Sequence, residues 1–214
     1  MEKQEHLVEY LRLFRRGANR SHWTEECFGD ERDDHSVRRK RDDYKVTMYD
    51  KVFELSQPNR SKHSPEPFEW HESYHILRIE TALLRPGIRE QMQRLKIDYD
   101  LRWPDLLMEL CLSGSSIMED LIDKLMPNGT FYSLNTARIV VQMAGLRTDM
   151  QENLIDFLRN TNRYSYLDAS KIKMVKNRKK RTRQLYELSI NPVTIDARSN
   201  IDELPSIQAL LFLP

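Results

Sequence analysis

Charge of one sign is what this chain lacks: 34 lysines and arginines stand against 33 aspartates and glutamates, a formal net charge of +1. A whole-protein field that gathers polyanions is thereby excluded, and any nucleic-acid partner must be held by local clusters. Cysteine is scarce as well. Cys27 and Cys111 lie far apart, outside any CxxC pattern, so neither a disulfide framework nor a zinc knuckle is expected. Two reduced thiols fit a soluble, cytoplasmic protein. No apolar run approaches the ~18 residues that span a bilayer, and the opening residues 1–10 carry charge where a signal peptide has its apolar core. A membrane partner is therefore not expected. Internal repeats and low-complexity tracts are absent, as are the His-hydrophobic-His and HExxH metal patterns. His71 and His75 are four apart, a spacing that serves a metal only on a helix, whereas His75 opens a strand-like run.

What is present suffices for a modest core: 39% of the residues are hydrophobic and 31% charged. Leu7, Leu11 and Phe14, with Val8 and Leu13 beside them, predict an N-terminal helix that stops near Gly17. Residues 19–43 read as a long, solvated, mixed-charge connection, inside which the basic run Val37-Arg38-Arg39-Lys40-Arg41 could touch phosphate. Tyr44 to Tyr49 and His75 to Leu83 read as strands. They form an antiparallel pair across a loop holding Pro58, Pro65 and Pro67. Two strands cannot make a stable sheet alone.

From Pro86 onward the pattern is helical. Gly87–Leu95 is amphipathic, and Pro104 opens a helix with Leu106, Leu107, Leu110 and Leu112. Ser115–Leu125 follows, and residues 127–129 make a turn. Trp103, Met108, Met118 and Phe131 read as core. Ser133 or Asn135 can cap the next helix, which ends before Gly145. Thr148 and Gln151 have capping-box spacing for a helix to about Arg159. Beyond Asn191 the chain reads as irregular or extended, and residues 206–214 as a strand or a partner-binding tail.

Two features carry chemistry. Tyr49, Asp50, Lys51 and Glu54 gather at the end of the first strand, while Arg78 and Glu80 share one face of the second. Paired, the strands collect carboxylates and cations that can hold a divalent metal against a phosphodiester. They can equally be a structural lattice of Arg–Glu and Asp–Lys pairs. The second feature is a long basic helix from about Asp168 or Ser170 to Leu188. Between Lys171 and Arg183 it has eight bases (Lys171, Lys173, Lys176, Arg178, Lys179, Lys180, Arg181 and Arg183) and no acid. Ile172, Val175, Leu185 and Leu188 would anchor it. Such a helix suits salt-dependent DNA contact.

The segments Tyr49-Asp50-Lys51-Val52-Phe53-Glu54 and Leu77-Arg78-Ile79-Glu80 resemble a signature of phage and plasmid rolling-circle replication initiators, the filamentous-phage gene II/gene X family. The stretch from Tyr164-Ser165-Tyr166 through Asn177–Leu185 to Ser189-Ile190-Asn191 is similar to that family's basic helix and the Gly-Ile-Asp-like turn after it, with Ser-Ile-Asn in its place. The resemblance covers residues 44 to 195. It implies an α+β chain in three parts: residues 1–85 as a partial sheet domain with an N-terminal helix, 86–195 as a helical DNA-binding region, and 196–214 as a tail. Members of the family nick one DNA strand at an origin. A tyrosine attacks the phosphodiester and stays joined to the 5′-phosphate, while Mg²⁺ or Mn²⁺ polarises the phosphate.

Carried onto this chain, the resemblance makes Tyr49 or Tyr44 the nucleophile, with Asp50, Glu54 and Glu80 near the metal. Arg78, Lys51 and the basic helix become DNA contacts. Relatives have further strands ahead of the Tyr-Asp-Lys motif, and here 43 residues precede Tyr44. The expectation is thus an N-terminally shortened replication protein on origin DNA, alone, as a self-dimer or beside a larger initiator. An active nicking endonuclease and a DNA-binding regulator without catalysis are the alternatives.

Overall fold

A computed structural model describes residues 2–17, 24–26, 35–56, 76–98, 100–126, 128–168 and 178–212. The architecture is α+β. Helix α1 (Glu2–Gly17) buries Leu7, Tyr10, Leu11 and Phe14 at helical spacing. Its apolar side lies against a four-stranded antiparallel sheet, β1 (Thr24–Glu26), β2 (Ser36–Lys40), β3 (Tyr44–Asp50) and β4 (Leu77–Leu83), in that spatial order.

The expectation of a solvated connection up to Asp43 is overturned at β1 and β2, and the two-stranded remnant becomes four strands. The basic run is a strand because its side chains alternate. Val37 and Arg39 turn inward and are buried, while Ser36, Arg38 and Lys40 point out. An arginine at an inward position hid the two-residue period. Arg39 is fully buried, and its Nη2 donates to the Arg15 carbonyl at 2.6 Å. That carbonyl belongs to the last turn of α1, where the helix dipole favours a cation. The β2–β3 turn is closed by the Arg41 amide on the Tyr44 carbonyl and by the Arg41 guanidinium on both oxygens of Asp43.

Tyr44, Val46 and Met48 of β3 enter the first core cluster, and Leu77, Ile79 and Leu83 of β4 pack against it. A short helix, α2 (Lys51–Ser56), leaves β3 directly. Asp50 Oδ1 accepts from the Val52 and Phe53 amides at 3.0 and 3.1 Å and so caps it. Helix α3 (Arg85–Leu95) packs its N-terminus on the β2–β3 turn at Gly87, where a Cβ would stand 2.3 Å from the Asp43 carbonyl oxygen. Helices α4 (Trp103–Leu112) and α5 (Gly114–Leu125) follow. Ile117, Leu121, Ile122 and Leu125 of α5 fill the first cluster. Trp103 and Met108, expected in the core, are exposed, as are Leu107 and Leu112. On α4 only Leu106 is buried, and Leu110 packs partly against the first cluster, so these apolar side chains stay in solvent.

After the strand β5 (Phe131–Tyr132), a second cluster forms among α6 (Leu134–Met143), α7 (Thr148–Asp168) and α8 (Arg178–Glu187). Ser133 caps α6, as its position predicts, by accepting from the Thr136 amide. Helix α7 runs on to Asp168, beyond the expected end near Arg159. Gln151 donates to the Leu146 carbonyl at 2.8 Å rather than closing a capping box with Thr148. The described part of the expected basic helix is α8, since residues 169–177 lie outside the described residues.

Helix α8 ends in a Schellman turn. The Ile190 amide donates to the Leu185 carbonyl and the Ser189 amide to the Tyr186 carbonyl, with Ser189 at φ 57°. Of the expected tail, Ile201, Leu204 and Ile207 are buried in the first cluster. Strand β6 (Glu203–Leu204) pairs with β5, and α9 (Ile207–Phe212) anchors on α5 through Gln208 Nε2 to Asp123 Oδ1 at 2.9 Å.

Candidate nucleic-acid interface

The strand register fixes the outer face of the sheet. Across β2, β3 and β4 the rows are Ser36–Tyr49–Arg78, Arg38–Thr47–Glu80 and Lys40–Lys45–Ala82. Paired residues share a face, so these rows bring Arg38, Lys40, Lys45 and Arg78 together with Glu80, and β1 adds Glu26 to the Arg38 row. The inner face is apolar and holds the sheet against α1 and α5. Burial of one side thus dictates the cationic character of the other.

Tyr49 sits on this face. Its hydroxyl donates to Glu80 Oε1 at 2.7 Å, and Arg78 Nε reaches the same oxygen at 2.9 Å. Lys51 Nζ lies 5.8 Å from the Tyr49 ring centroid and bonds Glu54 Oε2 at 2.6 Å. A phenol held by a carboxylate within hydrogen-bond reach has the relation of a hydroxyl nucleophile to its general base.

Tyr44, the other candidate nucleophile, is fully buried and faces the core side. Gln91 Nε2 donates to its oxygen at 3.2 Å, and burial raises its pKa. Around it runs a charged lattice: Lys124 Nζ bonds Glu90 at 2.7 Å and Asp120 at 2.8 Å. The bond from Lys124 holds the Glu90 carboxyl low. Burial pushes the Asp120 carboxyl up, but the bonds from Lys124 and Gln91 together bring it below its ordinary value. These paired charges tie β3 to α3 and α5. Tyr10, which the sequence reading passes over, is buried too, donating to the Pro205 carbonyl at 2.9 Å. Burial drives its pKa far up. Of the three tyrosines, Tyr49 is the one on the cationic face.

The three proposed metal ligands are engaged separately. Asp50 is buried and caps α2, Glu54 is bound by Lys51, and Glu80 by Tyr49 and Arg78. Among the described residues no group of three or more His, Cys, Asp or Glu could hold a metal ion. This donor set does not fit the Mg²⁺ or Mn²⁺ that the resemblance implies. His71 and His75 lie outside the described residues, as does Cys27, while Cys111 is a free, exposed thiol.

The second cationic surface is α8. Thr182 and Leu185 are buried, which turns Lys179, Lys180 and Arg183 to solvent. Arg181 Nη2 bonds Asn153 Oδ1 on α7 at 3.0 Å, and Arg183 Nε bonds Glu187 at 3.1 Å. Arg178 is half-buried at the start of the helix, and Lys176 lies outside the described residues. Sequence reasoning missed Arg38, Lys40 and Lys45 as members of one face. The signal was available in the alternation of residues 36–40. Among the described residues no helix is long and apolar enough to cross a membrane. No family model, curated protein or solved structure matches the chain.

Proposed function

We propose that this chain is a DNA-binding replication protein related to rolling-circle initiators, gripping phosphates through α8 and the outer face of the sheet. The observation that carries the reading is the orientation of α8. Its buried Thr182 and Leu185 oblige Lys179, Lys180 and Arg183 to face outward together. On a chain of net charge +1 such a cluster supplies locally what the whole lacks. The sheet face adds four more cations beside an aromatic ring. The resemblance over residues 44 to 195 supports the replication context.

The test is a titration of labelled duplex and single-stranded DNA between 50 and 200 mM salt, about the range over which phosphate contacts weaken. Wild type is expected to bind with a steep salt dependence. Lys179→Gln, Lys180→Gln and Arg183→Gln combined should flatten the slope by about 0.9 for each duplex phosphate that the variant no longer neutralises. Salt-independent binding, or none, overturns the proposal.

A second reading, strand nicking, is favoured by the hydrogen bond from Tyr49 to Glu80. Glu80 would take the phenolic proton as the Tyr49 oxygen attacks phosphorus. The O3′ bond breaks, and the 5′-phosphate remains esterified to Tyr49 while the 3′ oxygen leaves and takes a proton from water. Incubation with supercoiled DNA, followed by a search for a covalent adduct at Tyr49, decides it. Persistent supercoils with no adduct would exclude nicking and leave DNA binding standing.

A further inference from the structure

Helix α4 keeps Asp105 and Glu109 on one face and is apolar over the rest of its surface, of which only one stripe is covered. Leu106 is buried and Leu110 packs partly against the first core cluster. At 100° per residue these two share one side of the helix. Beginning beside that stripe and running on round the helix are two adjacent rows, Trp103–Leu107–Cys111 and Pro104–Met108–Leu112, all open to solvent. Trp103 is 67% exposed, Leu107 53%, Met108 62% and Leu112 76%. Contiguous exposed apolar surface of this extent marks a place where something docks.

We infer that this face is the dimer interface of the protein, with α4 of one copy packed antiparallel on α4 of a second. The order of the residues is the first argument. About the midpoint between Leu107 and Met108 the face reads alike from either end. A twofold axis there sets Trp103 against Leu112 of the other copy, Leu107 against Met108, and Pro104 against Cys111. Self-complementarity about such an axis is what an isologous interface requires. Area is the second argument. The exposed apolar side chains leave on the order of 500 Å² open to solvent, and two copies together reach about the 1,000 Å² that a specific interface needs. The two rows also supply the ridges and groove by which helices pack. The face bears no charge, so a polyanion is not its occupant.

The pairing makes a chemical statement about Cys111. Its thiol is free and exposed in the single chain, and the dimer covers it with Pro104 of the other copy. The two Cys111 residues stay too far apart along the antiparallel helices for a disulfide, since they lie seven residues apart in register, about 10 Å.

The experiment combines sedimentation across a hundredfold range of concentration with the rate of maleimide labelling at Cys111, mapped by peptide mass. Wild type should pass from monomer to dimer, and Cys111 labelling should slow at least tenfold over the same range. Leu107→Glu and Met108→Glu, each folded by circular dichroism, should stay monomeric and label fast at all concentrations. A chain that is monomeric throughout overturns the inference, and Cys111 protected in that monomer means the chain's own residues cover the face. A dimer that survives both glutamate substitutions overturns it as well. DNA affinity plays no part in these readouts, so they stand or fall apart from the proposed function.

Discussion

The hydroxyl of Tyr49 and the carboxylate of Glu80 meet over 2.7 Å across the β3–β4 pair, on the diagonal next to the Tyr49–Arg78 row. The bond points a phenolic proton at an acceptor, and Arg78 Nε pairs with the same carboxylate oxygen at 2.9 Å.

Stability and chemistry should therefore separate at this pair. Tyr49→Phe removes one partly exposed hydrogen bond and should cost about 0.5–1.5 kcal/mol in urea unfolding. Glu80→Gln keeps an acceptor for the phenol and should cost less. If the chain nicks DNA, Tyr49→Phe abolishes the adduct, and Glu80→Gln slows its formation by roughly 10²–10⁴-fold, the worth of a general base. Equal adduct yields in wild type and Glu80→Gln would remove the base role.

Ser189 has a φ of 57°, the left-handed conformation that a glycine adopts without strain. Ser189→Gly should raise stability by about 0.5–1 kcal/mol. The check is a higher urea midpoint with an unchanged slope. Just after it, Asn191 Oδ1 accepts from the Val193 amide at 2.9 Å.

Glu9 is buried against the C-terminal segment, where Oε1 accepts from the Asp196 amide at 3.1 Å. Burial raises its pKa above 4.5 despite that bond and the Arg12 guanidinium. The native state thus holds the proton more tightly than the unfolded chain. The stabilisation this gives is complete below the unfolded value and is lost as pH rises through the native one. Glu9→Gln removes the titration and keeps an acceptor for Asp196. The variant should be the more stable at pH 7, with the gap closing toward pH 4. Denaturant midpoints at a series of pH values measure it.

Gly87 lies in the first turn of α3, where helix propensity alone favours alanine by about 1 kcal/mol. The Asp43 carbonyl and the Tyr44 ring stand 2.3 and 2.8 Å from the position of a Cβ. Neither has room to yield, since Asp43 O also accepts from the Leu84 amide. Gly87→Ala should be destabilising by about 1–3 kcal/mol through overpacking. Unfolding by urea, with Gly114→Ala as the control at an open helical site, gives the comparison.

The helices were legible where apolar spacing and punctuation agree, as in α1 with Gly17 and α6 with its Ser133 cap. The β3–β4 pair was legible from β-formers and alternation. What escaped was set by tertiary contact. Arg39 looks like a solvated base until the end of α1 supplies its carbonyl, and without that contact β2 reads as loop. Trp103 looks like core because size and apolarity are all a sequence reveals. Whether a neighbour arrives is decided by packing, and on α4 it is Leu106 that is buried while Trp103 is 67% exposed. At the candidate site, the grouping of Tyr49, Arg78 and Glu80 followed from strand parity. Asp50 read as a ligand because the start of α2, which claims its oxygen, gives no hydrophobic period over six residues.

The exit of α8 is moored to the body by its backbone. The Thr130 amide donates to the Ser189 carbonyl at 2.8 Å, and the Asn191 amide to the Thr130 carbonyl at 2.9 Å, so Ile190 lies alongside Thr130 in a parallel bridge. A helix fastened at its far end takes its aim from that end. The outward bearing of Lys179, Lys180 and Arg183 is therefore set in part by Thr130, far away in the sequence, and not by α8 alone.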